Sequence, residues 1–215
     1  MSAGTPLLVA HRVEDSARAA QAVAAGADLI EIDVHLRRGG LEVRHPRRAG
    51  PVLWDREGVR LARGPAAALE PLLASIDPAA EPLLDLKWGS SGLAGAALAA
   101  ARRAGRERLT ISSRRWRLLD GLAGEPGVRL AYSAAGSREL GRLRRRHLPD
   151  GAAVCVRRDL LDAAAAGELV REHGLVLTWP VRDHGDAERL VAWGVGGLIC
   201  DDLALLAALR GGPER

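Results

Sequence analysis

The chain has no phenylalanine, one tyrosine and one methionine among its 215 residues. Its core therefore has to be built from Leu, Val, Ile and Ala, and a hydrophobic content of 47% over this length is enough for a sizeable one. Cysteine is also scarce: Cys155 and Cys200 stand alone, without CxxC spacing, which excludes a disulfide framework. Both lie in apolar strand-like runs, where cysteine serves as a small core residue. Long hydrophobic runs are missing, since the longest uncharged segment, residues 89–101, is too short to span a bilayer. The chain enters its first strand almost at once, with no basic region or hydrophobic leader, so a cytoplasmic protein without stable membrane insertion is expected. Aromatics are few around the basic stretches. The densest, Arg142 to His147, has nothing for a base to stack on, so the net charge of +4 reads as arginine on solvated helix faces, and no nucleic-acid partner is expected. No feature of the sequence bears on oligomeric state.

Lysine is nearly missing too. Of the 31 basic residues, Lys87 alone is a lysine. A chain that uses arginine at every other basic position and keeps a compact ammonium here points to a chemical need for it.

What is present is an alternation of two periodicities. Strand-like runs occupy 6–11, 28–34, 82–87, 108–112, 128–132, 152–156, 174–179 and 197–200. Helical spacing covers 15–25, 65–76, 92–104, 115–123, 137–146, 159–172, 184–193 and 202–210. Strands alternating with helices call for a parallel sheet. Eight such pairs without a long linker predict an α/β fold, a single compact (β/α)8 TIM barrel over residues 1–215, slightly below the usual size of about 250 residues. A doubly wound open sheet is the alternative, but no GxGxxG follows the first strand. Residues 39–64 form a short excursion between strand two and helix two.

Several apolar runs end in polar residues. Residues i and i+2 of a strand share a face, so Glu31 and Asp33 place two carboxylates side by side. Buried without a partner they would repel each other and lose hydration, and a divalent cation with oxygen ligands, Mg²⁺ or Ca²⁺, removes both problems. Leu7, Val9 and His11 share a face in the same way, as do Leu83, Asp85 and Lys87. Such barrels work at the C-terminal ends of their strands, where His11, Glu31, Asp33, Asp85, Lys87 and Trp179 all fall. Leu41, Val43 and His45 share one face of an extended run that can bring His45 back over the mouth. His35 is assigned to the opposite face of its strand, packing toward a helix, and Glu14 either to the metal or substrate or to the cap of the first helix.

An opening His11-Arg12, the pair Glu31-Ile32-Asp33-Val34, a second histidine at His45 and Asp85-Leu86-Lys87, in this order, resemble the glycerophosphodiester phosphodiesterase family, a branch of the phosphatidylinositol-phospholipase-C-like phosphodiesterase barrels. Ser112-Ser113, Trp179-Pro180-Val181 and residues 194–201 agree with it, and the resemblance covers nearly the whole chain. It departs from the family at Val13, where a glycine is usual, at Pro46, where an aspartate follows the histidine, at Asp85, where glutamate is more common, and at Arg182, where asparagine is usual. The resemblance implies metal-dependent hydrolysis of a small-molecule phosphodiester, a glycerophosphodiester giving glycerol 3-phosphate and an alcohol. Glu31, Asp33 and Asp85 would hold the metal. His11 and His45 would carry general acid–base work, and Arg12, Lys87 and Trp179 would bind substrate. A phospholipase-D-like or sphingomyelinase-D-like lipid headgroup hydrolase is the nearest alternative, followed by a catalytically silent barrel that binds phosphate esters. A sugar-phosphate isomerase or synthase barrel leaves the acidic triad unexplained.

Overall fold

The structure is a computed structural model, and it describes residues 5–37, 40–45, 47–49, 52–55, 58–61, 66–87 and 92–212. Pro46 and Trp88 lie outside them. Eight parallel strands form the barrel: β1 Leu7–Ala10, β2 Leu29–Arg37, β3 Glu81–Leu86, β4 Leu109–Ser113, β5 Val128–Ala134, β6 Ala153–Arg157, β7 Val176–Val181 and β8 Gly197–Cys200. Each pairs with its successor, and β1 pairs with both β2 and β8, which closes the ring. The helices are α1 Ser16–Ala24, α2 Leu69–Ser75, α3 Gly92–Arg103, α4 Arg117–Asp120, α5 Ser137–Leu143, α6 Ala163–His173, α7 His184–Ala192 and α8 Leu203–Gly211.

Strands covered on both faces explain why the sequence shows apolar runs rather than strict alternation. Outward residues such as Ile30, Ile32, Leu84, Ile111 and Val154 pack under the helices. Inward residues Val9, Leu29, Leu83, Ala131, Ala153, Cys155, Leu177 and Ile199 fill the barrel. The next inward positions toward the C-terminal ends are polar, and Glu31, Asp33, Ser112 and Ser133 are all buried there. The site therefore rests on a packed floor. Four loops at this end finish in an aspartate whose side chain accepts the helix-capping hydrogen bond: Asp15, Asp162, Asp183 and Asp202. Each such cap contributes about 1 kcal/mol and fixes where the helix starts relative to the mouth.

Some boundaries differ from the sequence reading. The helix expected over 115–123 is reduced to α4, since Gly121, Gly124 and Pro126 follow it closely. Helix α2 starts only at Leu69 because Ala67–Ala68 is extended and pairs with Glu42 and Val43. Strand β2 runs to Arg37 because it outlasts the barrel and pairs antiparallel with a returning strand, Gly40–Val43. The excursion also carries a three-stranded antiparallel sheet of Arg47–Ala49, Val52–Asp55 and Gly58–Leu61. Among the described residues, no helix is long and apolar enough to cross a membrane.

Candidate active site

Asp33 and Asp85 stand opposite each other in the register of β2 and β3, with Glu31 one inward step below Asp33. Glu31, Asp33 and Asp85 each bring a carboxylate oxygen within 4.8 Å of the other two. Glu31 and Asp33 are 3% and 1% exposed, so solvent cannot disperse their repulsion. Lys87, just past the end of β3, reaches into the group. Its Nζ lies 2.6 Å from Asp33 Oδ1 and also donates to Asp85. The Ser112 hydroxyl on β4 donates to the other oxygen of Asp85 at 2.8 Å. One ammonium balances one of three carboxylates. The remaining charge and the all-oxygen donor set fit a hard divalent cation.

The titration directions show how this cluster is stressed. Burial, and then the neighbouring carboxylates, hold the Glu31 carboxyl well above the ordinary glutamate range, although Lys87 pulls the other way. Burial would also raise Asp33, but the Lys87 ammonium and the hydrogen bond from His45 outweigh it and hold Asp33 well below its usual value. For Lys87 burial is outweighed by Asp85, Asp33 and Glu31, and the ammonium is held above its ordinary range. The two acids of one strand are thus driven apart: Asp33 carries the permanent charge and Glu31 is short of a cation.

Two histidines flank the triad. His11 follows β1 and its backbone N–H extends the ladder to the Cys200 carbonyl of β8. Its Nδ1 donates to Asp201 Oδ1 at 2.8 Å, and its Nε2 lies 3.9 Å from Glu31 Oε2. This hydrogen bond, more than any other cause, lowers the Asp201 carboxyl. His45 comes from the excursion, and its Nδ1 donates to Asp33 Oδ2 at 2.5 Å. Its backbone N–H donates to Glu14 Oε1 at 2.6 Å, tying the returning strand to the loop after β1. Each ring is thereby fixed by a carboxylate on Nδ1, which leaves Nε2 as the nitrogen that exchanges protons. Arg12 occupies the left-handed region, with φ of 55°. That turn aims its backbone N–H at Glu31 Oε2, 2.7 Å away, and the Val13 N–H then bonds the Glu31 carbonyl. Val13 is fully buried, so the side chain that replaces the usual glycine is absorbed by the core and the turn persists. Trp179 lies half-buried at the end of β7 against the apolar plug.

The structure thus brings His11, Glu31, Asp33, His45, Asp85 and Lys87 together, with Arg12 beside them and Trp179 on the rim. Its correction concerns His35. Residues 31, 33 and 35 share parity, so strand geometry sends His35 to the face of the acids and not away from it. His35 is 5% exposed, and burial, followed by the Arg44 charge, lowers its pKa to about 4. Three residues that the sequence reading named without these contacts also contribute: Asp201, Ser112 and Glu14. Asp201 follows the same rule that found the others, since Ile199 is inward and Asp201 comes two residues later. Ser112 is legible in the same way from its place on β4. Glu14 is not the helix cap, which is Asp15, and its contact with the His45 backbone leaves no mark in local sequence.

No family model matches the chain, and no curated protein matches it in sequence. Solved structures do. A phosphodiesterase from Oleispira antarctica, solved with the product sn-glycerol-3-phosphate, superposes with a TM-score of 0.73 at 18% identity, covering 97% of this chain and 98% of its own. The fold is that of the glycerophosphodiester phosphodiesterases. Members from Thermotoga maritima and Agrobacterium tumefaciens give TM-scores of 0.70 and 0.71 at 17% and 19% identity. They share 95% and 96% of this chain, and 98% and 100% of their own. The match to these phosphodiesterase structures runs essentially end to end.

Proposed function

We propose that the protein is a cytoplasmic, single-domain phosphoric diester hydrolase that cleaves a glycerophosphodiester to glycerol 3-phosphate and an alcohol. The observation that carries this reading is the convergence of two carboxylate-held histidines on three clustered acids and one lysine at the mouth of the barrel. A phosphodiester resists attack because its own anionic oxygens repel a nucleophile. Mg²⁺ or Ca²⁺ held by Glu31, Asp33 and Asp85 would neutralise that charge and polarise phosphorus. Lys87 adds a point charge, and Arg12 offers a planar fork matched to phosphate oxygens. The neighbouring glycerol hydroxyl attacks phosphorus and the alkoxide of the second alcohol leaves, giving a cyclic phosphate that water then opens to glycerol 3-phosphate; in each step one proton must be removed and one delivered. His11 and His45 divide these transfers through Nε2. Asp201 keeps His11 in the tautomer this requires, and Trp179 supplies an apolar wall for the glycerol or the alcohol. The product held by the Oleispira antarctica phosphodiesterase supports the choice of substrate class.

Histidine substitution tests the assignment. His11→Ala and His45→Ala should each lower kcat by about 10²–10⁴-fold on glycerophosphodiesters, the span of general acid–base catalysis, with much smaller changes in KM. His147→Ala, on the exposed surface, should be silent. Wild-type kcat in either active-site variant would remove that histidine from the mechanism.

A further inference from the structure

The small sheet of the excursion has no part in the chemistry, yet it holds the most exposed apolar surface among the described residues. Val59 and Leu61 are 76% and 67% exposed, in a chain whose other large hydrophobic side chains are at least partly covered where described. The pairing register sets Val52 opposite Leu61 and Trp54 opposite Val59. Residues directly opposite in an antiparallel pair share a face, so all four lie together on one side. Isolated exposed hydrophobics are ordinary; two exposed and two half-buried ones on one face of a three-stranded sheet form a patch.

Charge gives the patch a partner. Residues 38–66 contain seven of the 31 basic residues, all arginine, and three of the 27 acidic ones. The rest of the chain therefore has 24 of each, and the whole net charge of +4 resides in this one segment. A segment that presents Val59 and Leu61 to solvent and carries seven arginines has the composition of a surface that sinks its apolar side chains among lipid headgroups while its cations meet anionic lipid. The position fits as well. The segment leaves the barrel beyond β2, passes through His45 at the mouth, and rejoins where Ala67–Ala68 pairs with Glu42 and Val43.

We infer that the excursion is a docking surface for an anionic phospholipid bilayer, holding the barrel mouth against it without insertion of any helix. The inference rests on the exposed face and the charge distribution, and it stands or falls separately from the catalytic assignment.

The test is co-sedimentation of the full chain with vesicles of phosphatidylcholine alone and of phosphatidylcholine with phosphatidylglycerol. The chain should pellet with the phosphatidylglycerol vesicles, weakly or not at all with phosphatidylcholine, and less as salt is raised. The double variant Val59→Ser/Leu61→Ser keeps the charge and removes the apolar contact. It should bind phosphatidylglycerol vesicles about tenfold or more weakly, since burial of two aliphatic side chains is lost. Its turnover of soluble glycerophosphodiesters should match the wild type. Equal vesicle binding by the double variant would overturn the inference. So would a concentration-dependent dimer, seen by sedimentation and abolished by the same substitutions in a chain that ignores vesicles, since the face would then belong to a second copy.

Discussion

Glu31 and Asp33 are neighbours on one strand face, yet their carboxyls are pushed in opposite directions. Asp33 receives Lys87 and His45 directly, whereas Glu31 receives a backbone N–H and the repulsion of the other acids. A carboxyl raised in the folded state holds its proton where the unfolded chain has lost it, so stability falls as pH rises from about 4.5 through the folded value. In metal-free protein, Glu31→Gln should therefore raise the melting temperature at pH 8 and change it little at pH 4. Added Mg²⁺ or Ca²⁺ should stabilise the wild type and not this variant. A lower melting temperature for metal-free Glu31→Gln at pH 8 would contradict the assignment. His35 gives the opposite slope. Its imidazole ordinarily titrates at 6.5 but is held at about 4, so the unfolded chain binds the extra proton between those values and stability falls as pH drops from 6.5 to about 4. His35→Asn should flatten this part of the acid limb in urea denaturation measured at pH 4.5 and 7. An unchanged slope would show that His35 is not held neutral.

At the level of elements, the site is a consequence of strand ends. A strand filling the barrel must be apolar at its lower inward positions, and the next inward residue emerges at the mouth, where water and substrate are. That rule exposes Glu31, Asp33, Asp85 and His11 in the sequence, and it applies equally to Ser112 and Asp201. It also assigns His35, where the reading went wrong by losing strand parity. The eight strands and eight helices were legible because the chain alternates between two periods through sixteen segments without a long linker. The length of β2, the shortness of α4 and the three-stranded sheet were not, because each depends on pairing or on turns that periodicity does not encode. The Glu14–His45 contact joins two loops 31 positions apart and belongs to the same class. Glu14→Ala should free the His45 backbone, speeding exchange of its amide and lowering kcat by about tenfold or more, as loss of an outer positioning partner does. Glu14→Gln retains the acceptor and should restore most of both. Normal exchange and turnover in Glu14→Ala would mean that the returning strand holds His45 without this tie.

Over the whole molecule, a neutral barrel supplies the acids, the lysine and one histidine, and a basic excursion supplies the other histidine. No single element contains the site, so the closed ring is a precondition for the chemistry. The residues at its mouth form one electrostatic unit in which a divalent cation, as proposed, would complete the charge balance that Lys87 begins. Phosphorus NMR of glycerophosphocholine incubated with the purified chain tests this most directly, with and without EDTA and after return of Mg²⁺ or Ca²⁺. The expected result is conversion of the diester signal to that of glycerol 3-phosphate, abolished by EDTA and restored by the ion. A diester signal that persists in the presence of either ion, or turnover that EDTA leaves untouched, would contradict it.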